Sequence, residues 1–240
     1  MKLLFENWRK YLKEGRELEH FTTLISREVI NALKEDEIKN IFNNTGEVSF
    51  KLDTEEMLED LANVRDVYIS LEAANYVYAH AKYDFILDAT EKQRMQSDIY
   101  VDVLLPLNYE HSVFSELIPE LKDSLRHELE HSTQPTDILM KVQKKVPEGN
   151  IWKSLESAED YYTSESETKA HVTGIYKKAK TLREPAGTVL DQVLMEIWQT
   201  GVSNGYSEEE LGPFMNKLRE MWRFYLMSRY PRAEIDLENN

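Results

Sequence analysis

The chain has 240 residues, enough for one large domain or two small ones. It is 41% hydrophobic and 30% charged, a globular balance, and it contains no cysteine, so disulfides are excluded and any metal must be held by His, Asp or Glu. A formal net charge of −15 argues against general nucleic-acid binding, which needs a basic surface.

Residues 1–14 form a short amphipathic basic segment. Leu3, Leu4, Trp8, Tyr11 and Leu12 recur near helical spacing, with Lys2, Arg9, Lys10 and Lys13 between them and Gly15 after. This segment carries +2, which leaves −17 on the rest of the chain. It lacks the apolar stretch and small-residue cleavage site of a secretory signal, and no later apolar run is long enough to span a bilayer. Residues 17–43 read as one helix, with Leu18, Phe21, Leu24, Ile25, Val29, Leu33 and Ile38 apolar, closed by the turn Asn43-Asn44-Thr45-Gly46.

Four strands are expected next, at Glu47–Leu52, Val64–Leu71, Tyr76–Leu87 and Ile99–Leu105, with a short helix at Thr54–Asn63. Pro106 ends the last strand. A helix from about Ser112 to Ser132 then carries Leu117, Leu121, Leu125 and Leu129 as a buried stripe, with Pro119 tolerated in its first turns. Residues 133–160, with Pro135, Pro147 and Gly149, read as loop with short helical pieces. From Ser164 to about Arg229 the pattern is helical, broken near Pro185 and over Gly201–Gly212, with Trp198, Trp222, Phe224 and Tyr225 as its core. The expected organisation is a segment 1–14, an α+β part 15–132, a connection 133–163 and a helical part 164–240.

The most informative residues are His127-Glu128-Leu129-Glu130-His131, an H-E-x-x-H pentamer on the Ser112–Ser132 helix. One turn apart, the two imidazoles leave the helix on one face, away from the leucine stripe, and can share one Zn²⁺. Glu128 beside them can take a proton from metal-activated water. A catalytic zinc needs a third protein ligand and an open position. The best candidate is Glu167, at the start of a helix that Ser164 or Ser166 could cap; Glu165 is the runner-up. His20, His80 and His111 lack any partner pattern.

On His127-Glu128-x-x-His131 and Glu167-x-x-x-His171 the chain resembles the zincin metallopeptidases of the glutamate-zincin, thermolysin-like group. That group carries its third ligand on a helical Glu downstream, with an Asp four residues later that orients a zinc-binding imidazole; His171 stands here in place of that Asp. The resemblance implies an α+β, zincin-like fold. It has a small, mostly antiparallel sheet, with Ile99–Leu105 as the edge strand beside the motif helix, and a helical C-terminal region. It implies one zinc per chain on His127, His131 and Glu167, with Glu128 as general base. The oxyanion stabiliser would be one of Tyr161, Tyr162, His171 and Tyr176, with His171 and Tyr162 expected in catalytic roles.

Residues 1–15 resemble the leaders of proteins packaged in the heads of large tailed bacteriophages, which are removed after a Glu in a Leu-x-Glu setting; Leu12-Lys13-Glu14 before Gly15 fits. The whole chain is similar to phage-type proteins that share the H-E-L-E-H helix and a later Y-Y-x-S…E-x-x-A-H-V segment. These likenesses imply a zinc peptidase of the host cytoplasm or virion interior. It would act on a protein or peptide, with phage capsid or prohead proteins as further partners, and with neither nucleic acid nor membrane. The alternative is a non-catalytic internal head protein that keeps a zincin-like fold; hydrolysis of another amide, such as a cell-wall peptide, is a third reading.

Overall fold

A computed structural model describes residues 2–53, 64–84, 97–146, 151–231 and 233. The chain divides into two compact units, Met1–Ser132 and Thr133–Asn240. The first is α+β, the second helical. Among the described residues no helix is long and apolar enough to cross a membrane.

The first unit begins with α1, Lys2–Ala32, which runs unbroken through Gly15. A helical glycine costs about 1 kcal/mol against alanine. The strong helix formers on either side offset this, so the basic segment and the following residues make one helix rather than two elements. Conversely, the single helix expected over 17–43 is two. Lys34 and Glu35 donate to Asn31 and Ala32 in a tightened final turn, and Glu35 is extended at φ −68° and ψ 130°. Helix α2, Asp36–Thr45, ends on Gly46 at φ 79°, whose N–H bonds the Phe42 carbonyl. Leu18, Phe21, Ile25, Val29 and Leu33 of α1 and Phe42 of α2 enter the core.

Four strands follow: β1 Glu47–Lys51, β2 Val67–Ala73, β3 Tyr78–Tyr83 and β4 Ile99–Leu105. The short helix expected at Thr54–Asn63, and the end of the third expected strand at 85–87, lie outside the described residues. β2 starts later than expected because residues 64–66 lead into it. There Arg65 donates to both carboxylate oxygens of Asp98, at 3.0 and 2.7 Å. The Asp98 contact also holds the Arg65 guanidinium above its ordinary pKa.

The sheet order is β1-β2-β4-β3, with β2 and β4 parallel and the outer pairings antiparallel. This corrects one expectation. Ile99–Leu105 lies in the interior of the sheet, between Val67–Ala73 and Tyr78–Tyr83, and the edge beside it is β3. The chain places β3 outside β4 because the antiparallel register Tyr83↔Ile99 to Tyr78↔Leu104 takes one side of β4 while β2 takes the other. One face of the sheet is apolar: Val67, Ile69, Leu71, Ile99, Val101, Val103, Ala79 and Ala81 are buried. The other face is exposed and carries Tyr68 stacked on Tyr100 at 5.3 Å.

Tyr109 fastens the connection after β4. Its hydroxyl donates to the Leu33 carbonyl at 2.5 Å, and burial pushes its pKa up to about 12. A 3₁₀ turn, His111–Val113, then enters α3, Phe114–Thr133. Leu117, Leu121, Leu125 and Leu129 are fully buried, as their four-residue spacing requires.

The second unit is more helical than its prolines imply. Residues 133–162 contain α4, Thr136–Lys145, a 3₁₀ turn at Ile151–Lys153 and α5, Leu155–Tyr162. Pro135 stands just before α4, where its missing N–H costs nothing, and the Ser154 hydroxyl caps α5 by accepting from Ser157 N–H. Helices α6, Glu165–Leu182, α7, Ala186–Ser203, and α8, Glu208–Arg229, complete it. The break near Pro185 is present, after Arg183 turns left-handed at φ 60°. The second break is confined to 204–207. Gly201 stays inside α7, where a Cβ would come within 2.7 Å of Leu211 and 3.0 Å of Trp152, so the glycine admits close packing rather than a turn. Trp222 is fully buried, with Trp198 and Tyr225 packed against the same core. Phe224 is not core: it is 75% exposed, because two residues along α8 carry it to the side opposite Trp222.

Two outcomes follow from this packing. Leu125→Ala is expected to lose about 2–5 kcal/mol in urea unfolding of the first unit, whereas Phe224→Ser changes the second unit by no more than about 0.5 kcal/mol. Tyr109 has a folded pKa above its ordinary value of 10.0, so its contribution is complete below that pH and is lost as pH rises toward about 12. Stability measured from pH 9 to 12 should therefore fall more steeply in the wild type than in Tyr109→Phe.

Candidate metal centre

Helix α3 uses three sides of its surface. The leucines face the sheet and α1, the imidazoles leave on a second side, and Ser124 and Glu128 address β3. His127 Nε2 and His131 Nε2 converge to 3.0 Å, with ring centroids 4.7 Å apart and planes crossed at 73°. Two imidazoles on a tetrahedral Zn²⁺, each at 2.0–2.1 Å, hold their nitrogens about 3.3 Å apart. The pair is thus within a few tenths of an ångström of metal-holding geometry without moving the helix. The donor set is nitrogen and oxygen only, which a divalent transition-metal ion accepts.

Glu128 joins this pair. The ligand atoms of His127, Glu128 and His131 all lie within 4.8 Å of one another. The Glu128 Oε1 atom is 3.8 Å from His127 Nε2, while Oε2 accepts the Tyr83 N–H at 2.8 Å. One carboxylate oxygen is therefore anchored to the sheet edge and the other is aimed toward the imidazoles. Sequence reading missed this anchor, because the donor is a backbone amide 45 residues upstream. It also missed the buried pair formed by Arg126 and Glu130 at 2.8 Å, one turn apart, each immediately before one of the histidines.

The remaining candidates lie in the second unit. Ser164, rather than Ser166, caps α6: its Oγ accepts the Glu167 N–H at 3.3 Å. Glu167 sits in that first turn, where the helix dipole favours a carboxylate, and is only 6% exposed; Glu165, the runner-up, is exposed. His171 follows one turn later, its Nε2 3.9 Å from Glu167 Oε2. The His171 ring stacks on Trp222 at 4.7 Å and 24°, and Tyr162 packs 5.6 Å from it. The Trp222 indole donates to the Tyr162 carbonyl at 3.1 Å, so one tryptophan fixes both. Glu167, His171 and Tyr162 therefore form one cluster. Tyr161 touches it only through Tyr162, at 5.0 Å, and Tyr176 is instead stacked on Tyr230 at 3.8 Å. His20, His80 and His111 are exposed and belong to no metal-capable group among the described residues.

The aromatic support gives a graded outcome. Trp222→Ala should cost about 3–5 kcal/mol, and Trp222→Phe, which keeps a ring under His171 but loses the N–H bond to Tyr162, about 1–3 kcal/mol. Urea unfolding of the two variants reads the difference.

No family model matches this chain, and neither curated proteins nor solved structures give a match.

Proposed function

We propose that the protein is a zinc-dependent peptidase in which His127 and His131 hold the metal, Glu167 is the third ligand and Glu128 is the general base. The observation that carries this reading is the pairing of two convergent imidazole nitrogens, 3.0 Å apart, with a carboxylate oxygen 3.8 Å from one of them. Support for Glu167 is its spacing after the motif, its burial and its place one turn before His171. A bound zinc supplies Lewis acidity toward a scissile carbonyl and lowers the pKa of a coordinated water.

The chain's own residues do the rest. Glu128, held at Oε2 by the Tyr83 amide, accepts the proton of the attacking water on Oε1. The water oxygen bonds to the carbonyl carbon, the C–N bond breaks, and the same carboxyl group returns the proton to the leaving amine. His171 and Tyr162, braced by Trp222, are our candidates for meeting the charge that develops on the carbonyl oxygen. The substrate is a protein or peptide. The basic N-terminal segment, now part of α1, supports a setting in a bacteriophage head, with capsid or prohead proteins as partners.

One observation favours a second reading. The bond from the Tyr83 amide to Glu128 fastens α3 to the sheet edge, a task that a non-catalytic internal head protein would also need.

Metal analysis and proteolysis separate the two. Purified protein is expected to carry about one zinc per chain and to lose it in His127→Ala. Glu128→Gln can still accept the Tyr83 N–H through its amide oxygen, so it keeps fold and metal. It is expected to lose about 10²–10⁴-fold in cleavage of labelled casein. Full activity in Glu128→Gln contradicts the assigned base, and zinc without any cleavage in the wild type supports the structural reading.

A further inference from the structure

The edge strand β3 is fastened to α3 at two points. Asp84 N–H donates to the Asp98 carbonyl, so in this antiparallel pair residues 84, 82, 80 and 78 turn their amides toward β4. The amides of Ala79, Ala81 and Tyr83 therefore point away from the sheet, where a free edge would leave them to solvent or to another strand. Two of the three are taken by α3: Ser124 Oγ accepts from Ala81 at 2.5 Å and Glu128 Oε2 accepts from Tyr83 at 2.8 Å.

The spacings match. Two residues of antiparallel strand advance about 6.8 Å, and the four residues from Ser124 to Glu128 advance about 6 Å along a helix. Strand and helix thus run side by side in a fixed register. The ladder to β4 holds β3 on its inner side, but a single bond on the outer side would let α3 pivot against the strand, and Glu128 would then shift relative to the Tyr83 amide. The second bond removes that pivot.

We infer that Ser124 is a positioning residue: by holding Ala81 it fixes α3 against β3 so that the Tyr83 amide keeps Glu128 Oε2 anchored and Oε1 directed at the imidazole pair. The catalytic part of this inference rests on the peptidase reading above; the mechanical part does not. Ser124 touches neither metal ligand nor substrate in this scheme. It acts through three residues of strand and one carboxylate, and a misplacement of the base by about 1 Å is enough to cost on the order of 10²-fold in rate.

The test reads amide hydrogen exchange by NMR on the metal-free full chain, followed by casein cleavage by the zinc-loaded protein. Ser124→Ala must deprotect Ala81, whose acceptor it removes. The positioning claim requires that it also speeds exchange at Tyr83 by tenfold or more and lowers kcat by about tenfold, with KM within twofold, while Ser124→Thr restores both. Should Ser124→Ala fold poorly, Ser124→Cys, with a weaker acceptor, gives the same ordering at smaller amplitude. Unchanged Tyr83 exchange in the folded variant overturns the inference. Faster Tyr83 exchange with unchanged kcat overturns its catalytic part, provided Glu128→Gln is inactive. A fully active Glu128→Gln removes the peptidase reading and that part together, and leaves the exchange result to decide the mechanical part.

Discussion

Helix α3 has to fill the core, hold the edge strand β3 and pair its two imidazoles with one set of twenty residues, and that constraint organises the candidate centre. Its leucine stripe is fully buried, which fixes its rotation about its own axis. Once that angle is set, His127 and His131 can leave on only one side, and Ser124 and Glu128 on only one other. Core packing brings the two imidazoles together, and their Nε2 atoms share a hydrogen bond at 3.0 Å whose donor depends on the tautomer. A helix turned about its axis would carry Glu128 away from the Tyr83 amide, which it now meets at 2.8 Å. The hydrophobic core and the candidate centre are held by the same rotation.

In the proposed scheme Glu128 serves fold and chemistry together. A carboxylate has two oxygens and about four acceptor sites, so accepting one backbone amide leaves capacity for a proton. Anchoring the base also removes the rotamer freedom it would otherwise lose during reaction. In the second unit Trp222 braces His171 and Tyr162. It lies under the His171 ring and bonds the Tyr162 carbonyl, so the cluster is set by a core residue that belongs to no catalytic pattern.

Much of this was legible in the sequence where the signal is local. The pentamer, the leucine stripe and the α+β order depend on spacings of two to four residues, and β4 occupies Ile99–Leu105 as its alternation demands. Strand order was not legible. A half-buried strand alternates in the same way at an edge or in the middle, so Ile-Tyr-Val-Asp-Val-Leu-Leu carries no mark of its two neighbours. The anchoring roles of Ser124 and of the Tyr83 amide depend on that order and were hidden with it. Gly15 misled, because the strong helix formers on either side absorb it, whereas the short helical pieces expected over 133–160 are present, the first of them directly after Pro135. Phe224 was assigned to the core on its character alone, although its phase on α8 sets it opposite Trp222.

The account depends on a divalent ion seated on His127 and His131. X-ray absorption at the zinc K edge of the zinc-loaded protein reads that seat directly. Two imidazole nitrogens at about 2.0–2.1 Å with oxygen donors completing four-coordination is the expected result, lost in the His127→Ala, His131→Ala double variant. An all-oxygen shell, or a spectrum the double variant leaves unchanged, would contradict it.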